Sequence, residues 1–483
     1  MTTSRTNSKT DNMAYNRYDE IFHRCSLSGI CGGCTFCDEK TSCQKQLDLK
    51  EQRVREAVGA YLPEGVFEGV IPSPMLFGYR NKMEYSFGDA VKDGPLTLGL
   101  HKKKSFYDVI DADCCSLVHE DCNRIVRAAG DYFRELGLTY CDKRSHLGYL
   151  RHLLIRRAVH TGEMLIDLVT TTQPLIPVGA HGEINRQELY DAGSFEEAPG
   201  DLSGPEGEMN PGAVKKKRRQ RGGWNFTIRP GAVTEAEGVA ALSEEKVLQG
   251  FTDCLLSLQQ SGALEGSIRG ILHTDNDALS DAVRNDGTTI LYGEGQITEE
   301  LLGLRFNISP FSFFQTNTKG AELLYSKVRE YIGGTLGPEM RVFDLYSGTG
   351  TIAQMIAPSV REVTGVEIVP EAVEAARDNA CINGLSNCRF IADDVLHALD
   401  TLDSPDVIIL DPPRDGVQAK ALEKIIAYGV ANMVYVSCKP ESLGRDLQML
   451  DYAGYKIVRA CAVDQFPWTD NVETIALLRR AER

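Results

Sequence analysis

The C-terminal part of this 483-residue chain is predicted to be an α/β domain built on a parallel sheet. Three observations predict it. From Arg341 onward, short apolar runs alternate with helical segments, the rhythm of strand–helix–strand units. The first run leads into a glycine-bearing turn, Asp344-Leu-Tyr-Ser-Gly-Thr-Gly350. The next run ends in an acid, Glu367.

The strand runs are Arg341-Val-Phe-Asp-Leu345, Val363-Thr-Gly-Val-Glu367, Cys388-Arg-Phe-Ile391, Val407-Ile-Ile-Leu410 and Met433-Val-Tyr-Val-Ser437. Runs this apolar suit strands covered on both faces. Helices are expected around 351–357, 370–382, 419–428 and 441–451, with Pro370 and Pro440 preset for first helical positions. Two more strand-like runs, near 455–463 and 472–478, close a domain spanning 311–483.

A chain this long exceeds one core. Residues 1–20 are polar and read as a disordered tail. Residues 21–61 form a cysteine-rich segment with a linker helix whose Leu47, Val54 and Val58 share a face. Residues 62–310 alternate and break often, as a central α+β domain does. Within it, 183–222 is read as a mobile insertion. Glu183 to Glu208 holds eight carboxylates against one Arg, and Lys215-Lys-Lys-Arg-Arg-Gln-Arg221 follows. That basic run is either a solvated loop or a phosphate-contacting arm.

The N-terminus lacks the apolar stretch of a signal peptide, and no apolar run nears membrane-spanning length, so a cytoplasmic protein without a membrane partner is expected. Nine of fourteen cysteines precede residue 150, which points to a metal or cluster site rather than a disulfide framework. A net charge of −16 argues against general polyanion binding but leaves room for a local basic face.

The glycine turn lets the backbone approach a ligand, and Glu367 at the tip of the second strand is placed for ribose hydroxyls. A loop without a third glycine suits adenosine and a sulfonium better than a pyrophosphate. Asp394, after the third strand, is a candidate for the adenine amino group. Asp411-Pro-Pro-Arg-Asp-Gly416 ends the fourth strand, with two prolines stiffening the acid. Ser437-Cys-Lys-Pro440 ends the fifth, so Cys438 precedes a helix N-terminus, where the dipole and Lys439 should favour thiolate. The bland alternative is a small buried thiol. A thiolate is useful because C5 of uracil is a poor nucleophile until C6 is attacked. A base must then remove the C5 proton, and Glu473 in Pro467-Trp-Thr-Asp-Asn-Val-Glu473 is the candidate.

Taken together, these residues resemble the RNA uracil-C5 methyltransferases that act on 23S ribosomal RNA or on the T-loop of transfer RNA. The likeness covers about 20–180 and 265–483. Ser312-Phe-Phe-Gln-Thr-Asn317, the glycine turn, Ser437-Cys-Lys-Pro440 and Val472-Glu473 carry it. The resemblance implies a Rossmann-like class I methyltransferase domain, a central α+β RNA-binding domain and an N-terminal cluster-binding segment. It implies Gln315, Tyr346, Thr351, Glu367, Asp394 and Asp411 as contacts of S-adenosylmethionine, with Cys438, Glu473 and Asp411 catalytic. Its iron–sulfur branch has C-x5-C-x2-C and a distant fourth Cys. Cys25, Cys31, Cys34 and Cys115 match, and imply a 4Fe-4S cluster. Four cysteines suit zinc as well, and Cys37 or Cys43 is an alternative to Cys115. Three departures stand out. Only 24 residues precede Cys25, so the usual small N-terminal barrel is expected to be absent; Lys439 replaces a usual Asn, and Asn471 a usual His.

The expected partner is RNA, 23S ribosomal RNA ahead of transfer RNA, bound by a monomer. Candidate contacts are Tyr79-Arg-Asn-Lys82, His101-Lys-Lys-Lys104 and Arg151-His-Leu-Leu-Ile-Arg-Arg157, interleaved with Tyr79, Tyr85 and Tyr149. Phe313 or Phe314 would cover the extruded base. Two other readings compete: an exocyclic amino methyltransferase using Asp411-Pro-Pro, and a non-catalytic cluster-containing RNA-binding protein.

Overall fold

The computed structural model describes residues 18–173, 175, 195–197, 226–228 and 243–481. The expected tail up to residue 17 lies outside the described residues. So do the basic run Lys215–Arg221 and the rest of the 183–222 insertion, apart from 195–197.

In chain order, α1 (Cys43–Val58), β1 (Phe67–Ile71), β2 (Lys82–Asp89), β3 (Leu96–His101), β4 (Val109–Asp111) and α2 (Glu120–Glu135) come first. Next are β5 (Leu150–Arg157), β6 (Glu163–Thr170), β7 (Phe195–Glu197), β8 (Phe226–Ile228), α3 (Glu244–Gln260), β9 (Ser267–Asp275), β10 (Gly287–Gly293), β11 (Ile297–Leu301) and β12 (Leu304–Ile308). The C-terminal elements are α4 (Thr318–Gly333), β13 (Arg341–Leu345), α5 (Thr351–Ile356), β14 (Glu362–Glu367), α6 (Pro370–Ile382), β15 (Cys388–Ala392), α7 (Val395–Ala398), β16 (Val407–Leu410), α8 (Ala419–Tyr428), β17 (Asn432–Ser437), α9 (Pro440–Tyr452), β18 (Tyr455–Val463) and β19 (Glu473–Arg480).

Among the described residues two large sheets organise the chain, beside the two-stranded pairs β11-β12 and β7-β8. The larger runs β1-β18-β19-β17-β16-β13-β14-β15. Strands β13 to β17 are mutually parallel, and β19 lies antiparallel between β17 and β18. Apolar cores cover both of its faces, which is why all four residues of β16 are buried and apolar. The chain order reverses about β13, which has β14 on one side and β16 on the other; ligand crevices open at such switch points. The expected five strands and both proline-led helices, α6 and α9, form as read. The second sheet, β10-β9-β6-β5-β2-β3-β4, is antiparallel except for β6 with β9. It shares a core with α2 and α3. Strand β1 leaves this region to pair with β18, extending the larger sheet.

Helix α1 starts at Ser42, whose side chain accepts from the Lys45 N–H. Its buried face holds Leu47, Val54 and Val58 as expected, and also Lys50. Lys50 is 1% exposed; its ammonium pairs with the fully buried Asp464 and donates to Phe466 O at 3.0 Å. This ion pair, with a small core around Leu47, Tyr79, Leu117 and Trp468, fastens the N-terminal segment to the larger sheet. Lys50→Met leaves Asp464 an uncompensated buried carboxylate and should lower stability by roughly 3–5 kcal/mol in denaturant unfolding. The double variant Lys50→Met/Asp464→Leu should recover most of the loss. Equal losses in both would show that the charge pairing is immaterial.

Candidate active site

The carboxyl ends of β13, β14, β16 and β17 stand level. Leu345 is opposite Val366 and Leu410, and Leu410 is opposite Tyr435. Ser437, the last residue of β17, faces Thr474 on β19. One residue further, Cys438 leaves β17 where Glu473 enters β19, and Asp411 leaves β16 alongside. The loop after Asp411 is tied to α9. Ser442 Oγ donates to Arg414 O at 2.5 Å, and the Val417 N–H donates to Asp446 Oδ2 at 2.8 Å. Gly416 turns that loop at a φ of 74°, where a side chain would be strained and would run into Asp446.

This pocket strongly disfavours charge. Burial and the Asp411 carboxylate push Glu473 up to about 8, against the opposing Arg414. Loss of solvent pushes the half-buried Asp411 up to about 7. Asp344, fully buried on β13, rises to about 8 through burial, Asp411 and Glu367. Cys438 rises to about 11 through burial, Glu473 and Asp411. The expectation of a thiolate is corrected here. A helix dipole and Lys439 are local effects, and desolvation with two carboxyls across the strand ends outweighs them. Arg414 is the cation acting on both Cys438 and Glu473, and its Nη2 donates to Asn471 Oδ1 at 3.0 Å. Asn471, the departure from a usual His, therefore orients that guanidinium.

The stretch 310–317 crosses over the same strand ends. Gln315 is held against the hydroxyl of the buried Tyr325, which lies within electrostatic reach of Asp411, Glu473 and Asp344. Its carbonyl accepts from Asn81 Nδ2 at 2.9 Å, and Asn317 caps α4 by accepting from the Gly320 N–H. Arg156, 2% exposed, donates to the carbonyls of Pro310 and Ser312. Glu367 accepts from the N–H groups of Gly348 (3.0 Å) and Val369 (3.0 Å), which stiffens the glycine turn. Gly348 and Gly350 both take positive φ. Thr351 opens α5, and Tyr346 is half-buried beside Asp394. The Asp394 carboxylate caps α7 by accepting from the Leu396 N–H at 2.7 Å, so one of its oxygens has a structural task.

Sequence reasoning gave no role to Asp344, Tyr325 and Arg414, and it read Asn81 and Arg156 as RNA contacts where they hold the 310–316 backbone instead. Asp344 had a signal, an acid inside an apolar strand; Tyr325 on α4 had none. Several expected RNA contacts are corrected by burial. Tyr79, Tyr85 and Tyr149 are at most 1% exposed. Arg151 donates to the carbonyls of Asn276, Ala278 and Ser280, and Arg157 to Asp121. Phe314 is buried in the core and cannot cover a base, whereas Phe313 is 65% exposed and lies over the glycine turn.

Cys25, Cys31, Cys34 and Cys115 line one cavity of about 510 Å³, together with Cys37 and with residues of the 311–316 stretch. All are free thiols. Burial and the neighbouring thiols push Cys34 well up, and burial leads the rise of Cys31 and Cys115. Converging soft donors fit a thiolate-bound group, since a cation relieves their mutual repulsion. Among the described residues no three His, Cys, Asp or Glu side chains meet closely enough to share one metal ion. Cys43 is buried in α1 against Gln46 and does not line the cavity.

The family model described as tRNA (Uracil-5-)-methyltransferase matches residues 283–481. A Clostridium tetani protein described as an uncharacterized RNA methyltransferase is 40% identical over 465 residues, covering 96% of this chain and 85% of its own length. One of Caldanaerobacter subterraneus is 38% identical over 467 residues, covering 96% and 86%. Among solved structures, the Pyrococcus abyssi tRNA (uracil-54, C5)-methyltransferase, in complex with S-adenosyl-L-homocysteine, shares the fold. It aligns with a TM-score of 0.59 at 23% identity, over 90% of this chain and 82% of that one.

The protonation of Cys438 can be measured without any substrate. Iodoacetamide alkylation of the Cys438 peptide, followed by mass spectrometry against pH, should titrate near 11. Glu473→Gln should move that titration down. A plateau at the free-thiol value of about 8.5 in both proteins would contradict the arrangement.

Proposed function

Because the chain belongs to the RNA (uracil-5-)-methyltransferase family, we propose that it methylates C5 of a uridine in RNA through a covalent bond between Cys438 and C6. The observation that carries this reading is the convergence of Cys438, Glu473 and Asp411 at neighbouring strand ends, each acting on the charge of the next. S-adenosylmethionine supplies the methyl group. Gln315, Glu367, Tyr346, Thr351 and Asp394 are the residues proposed to hold it.

Cys438 first passes its proton to solvent, which leaves Glu473 free as a carboxylate; its sulfur bonds to C6, and the electron pair of the C5–C6 double bond moves through C4 to O4 as an enolate. Asp411, raised to about 7 and so about half protonated near neutrality, can in its protonated form donate a hydrogen bond to the base edge and fix its orientation. C5 then takes the methyl group. Glu473, as carboxylate, removes the C5 proton; the electrons re-form the C5–C6 double bond and expel the Cys438 thiolate. Phe313 is the exposed ring available to stack on the base. The low charge of the pocket suits a donor whose sulfonium is positive, since the acids can ionise as it arrives.

Ribosomal 23S RNA is the favoured substrate, supported by the Cys25, Cys31, Cys34 and Cys115 pattern of the cluster-bearing members; a transfer-RNA T-loop uridine is the alternative. A 4Fe-4S cluster is proposed on those four thiols. Support comes from the one cavity that Cys25, Cys31, Cys34 and Cys115 share; zinc is the alternative occupant.

Cys438→Ala should abolish methyl transfer while donor binding survives in calorimetry; full activity would sink the reading and favour an amino methyltransferase. Glu473→Gln should still bond to unmodified RNA but stall there. Wild-type turnover should rise with pH through about 8, because the base form of Glu473 grows as pH passes its raised pKa. A rate that falls over that range would contradict the role. Mapping 5-methyluridine in ribosomal and transfer RNA with and without the gene decides the substrate.

A further inference from the structure

Most of the basic residues near the site are structural, but one exposed group is not. After β3 the chain turns through Lys102, Lys103 and Lys104, all exposed, and then presents Phe106 and Tyr107 at 60% and 47% exposure. Lys143 sits over the Phe106 ring at 4.6 Å and Arg144 over Tyr107 at 4.4 Å. Lys143 is itself fixed by Asp281 at 2.6 Å. Burial would raise Asp281, but hydrogen bonds from His101 and Lys143 hold it down at about 2, so it stays an anion. The result is a rigid surface of stacked rings and cations on a chain whose net charge is −16.

The cysteine segment braces this turn. The Gly32 N–H donates to His101 O at 3.0 Å, and the Lys103 N–H donates to Ile30 O at 2.7 Å. Cys31 and Lys102 form a β-bridge. The same cysteine loop lines a cavity that Phe311, Ser312 and Phe313 also line. A polyanion lying on the lysine turn would therefore be led along the cysteine loop toward the active site.

We infer that the turn Lys102–Tyr107, with Lys143 and Arg144, is the docking surface for an unpaired segment of the RNA substrate. The lysines meet phosphates, and Phe106 and Tyr107 meet bases. Phosphate contacts and base stacking on aromatic rings are how single strands are held. This inference rests on the chain being an RNA methyltransferase and not on the role of Cys438.

The test is binding of a fluorescent polyuridine oligonucleotide at several salt concentrations. In Lys102→Ala/Lys103→Ala/Lys104→Ala the affinity should fall about tenfold or more, and the salt slope should shrink by about 2, roughly 0.7 for each phosphate that no longer meets a lysine. Phe106→Ala should weaken binding about tenfold with the slope kept, as removal of one stacked base would. Both variants should bind S-adenosylmethionine as the wild type does and should methylate at the normal kcat when RNA is saturating, with KM raised. Unchanged affinity and slope in the triple variant, with the wild type methylating RNA normally, would overturn the surface while leaving the catalytic reading intact.

Discussion

Everything at the active site depends on the level ends of four parallel strands. The register of β13, β14, β16 and β17 brings residues far apart in sequence to one edge, and the reversal of strand order about β13 opens a crevice there. The antiparallel strand β19 then delivers Glu473 beside Cys438 from the opposite direction. A one-residue slip of β19 against β17 would turn Glu473 to the other face of the sheet. Catalytic geometry and sheet pairing are in this sense one constraint.

That edge is also largely buried, and burial sets its protonation. Asp344, Asp411 and Glu473 are all pushed toward neutrality, and Cys438 toward the thiol. Arg414 is the cation that opposes them at Cys438 and Glu473, steadied by Asn471. Such a pocket holds its reactive groups in reserve, protonated until substrate and a cationic donor change the balance. The supports come from outside the C-terminal domain. Asn81, just before β2, and Arg156 of β5 grip the 310–316 stretch by its backbone, and Lys50 ties the cysteine segment to Asp464. The cysteine segment in turn braces the lysine turn through the Gly32–His101 and Ile30–Lys103 backbone hydrogen bonds.

Much of this was legible in local sequence. Strand runs, the prolines that open α6 and α9, the glycine turn, Cys438 after its strand and Glu473 before another all follow from patterns a few residues long. What escaped was set by distance. Lys50 lies on the same helix face as Leu47 and Val54, yet nothing near it announces Asp464, over four hundred residues away. Arg156 and Tyr79 looked like RNA contacts because basic and aromatic residues in an alternating stretch carry no mark of which face is buried. The protonation of Cys438 failed for the same reason. Lys439 and the helix are neighbours in sequence, while Asp411 and Glu473 are neighbours only in space.

The central claim is that Cys438 bonds to C6 of a uridine. RNA carrying 5-fluorouridine has no C5 proton for Glu473 to remove, so the reaction should halt after methyl transfer. Incubation of the wild-type protein with such RNA and S-adenosylmethionine should give a denaturation-resistant complex. Mass spectrometry should place the nucleotide on the peptide containing Cys438. A complex on any other residue, or methylated RNA released with no adduct, would contradict the claim.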